Sequence, residues 1–84
     1  MALYLVITLR TPQFQSSVID EHYAFLDGLR QQGRIELAGP FSDRSGGAYV
    51  LRVANREEAE AVAFSDPLHT SCSSIVTVHE WQAR

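Results

Sequence analysis

The chain has 84 residues, a formal net charge of −3 and one cysteine. That length holds a single domain, residues 1–84, whose core is marginal alone, so oligomerisation is the expected source of extra burial. The lone Cys72 excludes an internal disulfide and suits a reducing, cytoplasmic setting, and scattered arginines in an acidic chain argue against nucleic-acid binding. The opening apolar stretch lacks a positive leader and a cleavage site and is too short for a signal peptide. No segment has the apolar length of a membrane span.

ALYLVITL, residues 2–9, is rich in β-branched and large apolar residues and predicts a strand. One face carries Leu3, Leu5, Ile7 and Leu9, the other Ala2, Tyr4, Val6 and Thr8. Both are largely apolar, which predicts a central strand covered on both sides. After Thr11-Pro12 a helix should start near Ser16 or Ser17, either a good N-cap. Val18, His22, Phe25, Leu26 and Leu29 follow helical spacing, and Gly33 is placed to end the helix.

RIELAGPF, residues 34–41, predicts a second strand. SDRSGG (42–47) has hairpin-turn composition, and AYVLRV (48–53) is the returning strand. Asn55 can cap a helix over residues 56–64, whose glutamates cluster at its positive end. SIVTVHEW, residues 74–81, is the last strand. The order β-α-β-β-α-β predicts an α+β, ferredoxin-like fold: a four-stranded antiparallel sheet with two helices on one face. The other face then needs a cover, and a second copy of the chain is the simplest one.

Several of these features together resemble a known family. His22 on the first helix, GRIELAGPF (33–41), the acidic second helix, Asp66-Pro67 and the closing HEW look like a YCII-related (YciI-like) domain across nearly the whole chain. The resemblance implies a dimeric α/β barrel in which two ferredoxin-like sheets face one another. It also implies an active site at a histidine and an aspartate, which map to His22 and Asp66. Characterised relatives act on small cyclic or aromatic compounds, including removal of chloride from a chlorinated hydroxyquinol. This chain departs from the pattern at Ile19, where relatives often carry arginine, and at Cys72, where many carry glycine. Ser73 and Ser74 replace an apolar pair.

Asp66 before Pro67 reads first as an N-cap with proline at the first helical position. A carboxylate has two oxygens, so it can also orient a histidine. His22 lies on the inward stripe of its helix, where a buried histidine with one satisfied hydrogen bond is the ordinary case. Held by a carboxylate, it is also a suitable general base. Tyr4, Gly39, Pro40, Tyr49, Cys72 and His79 are the candidate pocket lining, with His79 able to border either the pocket or the dimer interface. Cys72 reads as a buried, inert thiol, with a reactive thiol as the alternative. His69 and Cys72 alone fall short of a zinc site, so no metal is expected.

Three functions compete. The first is an enzyme moving protons on a small cyclic or aromatic compound, as an isomerase, lyase or dehydrohalogenase, with His22 as acid/base, Asp66 as its partner and no cofactor. The second is a non-catalytic, dimeric small-ligand-binding or regulatory module, favoured by Ile19. The third, a cofactor-free monooxygenase, rests on architecture alone. The expected partners are a second copy of the chain and a small molecule, with neither nucleic acid nor membrane.

Overall fold

Side-chain alternation organises the first strand. In a computed structural model, which describes residues 2–84, β1 (Ala2–Arg10) buries Tyr4, Val6 and Thr8. Leu3, Leu5, Ile7 and Leu9 on the opposite face are only partly covered. β1 lies between β3 (Gly46–Val53) and β4 (Ser74–Trp81), and β2 (Ile35–Pro40) forms the outer edge beyond β3. All three pairings are antiparallel. Register places Val6 between Tyr49 and Val78, and Thr8 between Gly47 and Val76.

The hairpin between β2 and β3 turns at residues 41–46, where Phe41 N–H donates to the Gly46 carbonyl and Arg44 has φ 65°. Gly46 is required by close approach: a Cβ there would lie 1.8 Å from the Thr8 carbonyl oxygen.

The first helix, α1 (Val18–Gln31), begins at Ser17 as its composition suggests, but the Ser17 side chain makes no capping bond. The Val18 and Ile19 N–H groups instead donate to the carbonyls of Gln15 and Ser16. Gly33, at φ 71°, reverses the chain so that Arg34 N–H reaches the Leu29 carbonyl. In α2 (Arg56–Ala63) the capping is reciprocal: Asn55 Oδ1 accepts from Glu58 N–H at 2.9 Å, and the Glu58 carboxylate accepts from Ala54 N–H. One further turn, α3 (Pro67–Thr70), starts at Asp66.

Leu26 and Leu29 of α1 and Ala59, Val62 and Ala63 of α2 join one buried cluster with Tyr4, Val6, Tyr49, Leu51, Val53 and Val76 of the sheet. Both helices therefore cover the same face of the sheet, and the fold is ferredoxin-like. Among the described residues no helix is long and apolar enough to cross a membrane.

Candidate functional site

Three elements converge on one carboxylate. Asp66 is fully buried, and its Oδ1 accepts the Leu68 N–H at 2.9 Å, the capping bond of α3. The same oxygen lies 3.0 Å from His22 Nδ1 on α1. Oδ2 accepts the Tyr49 hydroxyl of β3 at 3.2 Å. Capping and histidine contact thus share one oxygen through its two lone pairs, and the second oxygen serves a partner of Asp66 that sequence reading missed. Three donors replace the water lost on burial, as a buried carboxylate requires.

This arrangement sets the chemistry of the imidazole. An ionised carboxylate only accepts, so His22 Nδ1 carries the proton facing Asp66 and Nε2 is left with its lone pair. Tyr49 cannot serve as a base. Burial, then the negative charge of Asp66 and the hydrogen bond to it, push the Tyr49 hydroxyl above its ordinary value. It remains a neutral donor that fixes the carboxylate.

His22 lines a cavity of about 210 Å3 between α1 and the sheet. Asp66 does not line this space and reaches it through His22 and Tyr49. Gly39, Pro40 and Tyr49 line the cavity, as the sequence suggests. Tyr4, Cys72 and His79 do not. Tyr4 shares a face with Thr8 but sits four residues away along β1, about 13 Å at the usual strand rise. His79 pairs with Leu5 on the opposite face of the sheet, its Nε2 3.1 Å from Thr77 Oγ1.

Cys72 is exposed, which corrects its reading as a buried thiol. Its φ of 60° turns the chain from α3 into β4. That left-handed backbone is one that glycine adopts without steric cost. Ser73 and Ser74 are buried, and Ser73 Oγ bonds the Ser71 hydroxyl at 2.8 Å and accepts Gln15 N–H at 3.4 Å. A polar tie here replaces apolar packing.

Sequence reading also missed Arg10, Phe14, Tyr23 and Arg30, all of which line the cavity. For Arg10 the signal was available, because it continues the register of Tyr4, Val6 and Thr8. Among the described residues no group of three or more His, Cys, Asp or Glu side chains could hold a metal ion.

The profile of the YCII-related domain matches residues 2–82. The chain belongs to this family. A YCII-family relative, the uncharacterized protein YjpA of Bacillus subtilis (strain 168), is 43% identical over 84 residues, covering 100% of this chain and 99% of its own. Among solved structures, the 5-chloro-2-hydroxyhydroquinone dehydrochlorinase TftG of Burkholderia phenoliruptrix AC1100, in complex with 2,5-dihydroxybenzoquinone, superposes with a TM-score of 0.72. The likeness spans 98% of this chain and 95% of that one at 20% identity, which establishes a shared fold.

Proposed function

We propose that the cavity is the active site of a small-molecule enzyme that moves a proton on a cyclic or aromatic compound. His22 Nε2 is the general acid/base and Asp66 is the partner that orients the ring and stabilises its protonated form. The observation that carries this reading is the 3.0 Å contact between His22 Nδ1 and the fully buried Asp66, with His22 itself lining the cavity. Tyr49 assists by holding the second carboxylate oxygen. The related fold of a dehydrochlorinase bound to a small cyclic compound supports the same class.

The chemistry needs no group beyond the imidazole. Nε2 takes a proton from a carbon or hydroxyl of the substrate, and the freed electron pair moves into the ring system. In an isomerisation His22 returns the proton at another atom; in an elimination a halide leaves with its bonding pair. Asp66 stabilises the imidazolium between the two steps.

A homodimer completes the reading. The uncovered face of the sheet exposes Leu9, Leu37, Ile75 and Trp81 beside the partly covered Leu3, Leu5 and Ile7. A second copy packed face to face would remove them from water, making the dimeric α/β barrel, with His79 at the interface rather than in the pocket. Cytoplasmic residence follows from the reading of Cys72 as a free thiol in a reducing compartment.

The alternative, a small-ligand-binding module without chemistry, is favoured by one observation: Ile19, an apolar side chain, lines the cavity where related chains often place an arginine. Incubation of halogenated hydroxyquinols and related ring compounds in deuterated water separates the two. Halide release or carbon-bound deuterium is expected with the wild type and not with His22→Gln. Equal exchange or release by the two proteins would overturn the assignment of His22.

A further inference from the structure

Resting on the reading of this cavity as a proton-transfer site, its charges point to the class of compound it takes. Two arginines line it. Arg30 is paired with Asp27 at 3.3 Å on the same helix, so its charge is largely balanced. Arg10 has no carboxylate partner among the described residues. Its guanidinium lies over the ring of Phe14, 4.1 Å from the centroid, and Phe14 lines the same cavity. Stacking on an aromatic face holds the guanidinium plane and leaves its N–H edge free to bind an oxyanion.

The loop carrying Phe14 is tied down rather than free. Thr11 N–H donates to the Ser73 carbonyl at 3.0 Å, Thr11 Oγ1 to the Cys72 carbonyl at 2.8 Å, and Gln15 N–H to Ser73 Oγ at 3.4 Å. These bonds run to the start of β4, so the stacked arginine is presented at a fixed place. Ile19, Leu26 and Leu68 add apolar lining, and Asp27 lines the cavity beside its partner Arg30. The lining therefore carries one unbalanced cation, apolar side chains that suit a flat ring, and His22 as a base.

We propose that the cavity binds a small planar ring bearing an oxyanion, a carboxylate or a ring enolate, and that Arg10 is the residue that binds the anionic oxygen. Neutral rings of the same shape are then poor ligands.

The test uses two matched pairs of probes, titrated into the full chain and followed by backbone amide NMR. One pair is 2,5-dihydroxybenzoate and its amide; the other is the enolate of 2,5-dihydroxybenzoquinone and its neutral dimethyl ether. The anion of at least one pair should bind about tenfold or more tighter than its neutral partner, a typical effect of one charge-assisted hydrogen bond. Which pair shows the preference distinguishes a carboxylate ligand from an enolate. Arg10→Gln should erase the preference without changing the melting temperature, Arg10→Lys should restore part of it, and Arg84→Gln should leave it intact. No preference in either pair, no binding of either anion, or a preference that survives Arg10→Gln overturns the proposal. His22→Gln should keep the anion preference while losing proton transfer. An anion-selective wild type without proton transfer would sink the catalytic reading alone.

Discussion

On β4, Val76 is 8% exposed and its neighbour Ile75 is 61% exposed, although both are β-branched and apolar. The difference lies in which face of the sheet each side chain joins. Val76 lies beneath the helices, in the face that also holds Tyr49 and Thr8. Ile75 points with Leu9 to the uncovered face. One face combines apolar packing with a polar trio, the buried Asp66 and Tyr49 and the partly exposed His22, and supports a cavity. The other exposes large apolar side chains such as Leu37 and Ile75. Apolar residues alone do not tell a core from an interface; what covers them does.

The widest contrast comes from truncating one residue on each face. Leu51 is fully buried under the helices, so Leu51→Ala should cost about 2–5 kcal/mol in urea unfolding. Ile75→Ala should cost less than half of that. A comparable loss at both sites would erase the distinction between the faces.

Next comes the carboxylate. Asp66→Ala leaves the Tyr49 hydroxyl and the Leu68 N–H without their acceptor and should lower stability by about 3 kcal/mol, combining a lost cap with stranded donors. Asp66→Asn keeps a carbonyl oxygen for both Leu68 and His22, so it should cost far less while removing the charge. Proton transfer should fall with it, read as carbon-bound deuterium, because the imidazolium loses its counter-charge. Undiminished exchange would show that Asp66 is not its charged partner.

The uncovered face is tested by Ile75→Glu, which places a charge in the proposed dimer interface. Each fully buried isoleucine contributes about 1.5–3 kcal/mol, so sedimentation should shift from dimer to monomer at micromolar concentration. A wild type that already sediments as a folded monomer removes the dimer.

The smallest effect is expected at Tyr49. Tyr49→Phe leaves Asp66 Oδ2 without a donor and should cost about 1–2 kcal/mol. The pH dependence is more informative. Below about pH 10 the tyrosine is protonated in both folded and unfolded chains, and its contribution is constant. Above that, the unfolded chain gives up the proton while folded Tyr49, held above its ordinary value by burial and by Asp66, retains it. Stability should therefore fall as pH rises past about 10. The melting temperature of the wild type should drop more steeply there than that of Tyr49→Phe, and parallel curves would contradict the hydrogen bond.

Much of this was legible in the sequence. Periods of two and 3.6 residues, with Asn55, Gly33 and Asp66-Pro67 as boundary signals, place every major strand and helix to within two residues. Local sterics and capping act within a few residues, so they can be read from them. The inward stripe of α1 also set His22 on the covered side. The contact of His22 with Asp66, which the family resemblance anticipated, is another matter for local reading, because it joins residues 44 apart through the packing of α1 against α3. So are the second bond from Tyr49, the pairing of Arg10 with Phe14, and the exclusion of Tyr4 and His79 from the cavity. Cys72 shows the same limit: its residue type favours burial, and a left-handed turn exposes it. Sequence alone determined which stretches are strands and helices and which of their faces are apolar, because those follow from short-range periodicity. Tertiary structure alone decided which polar groups share the buried carboxylate and which charge is left unpaired, because long-range packing fixes those distances.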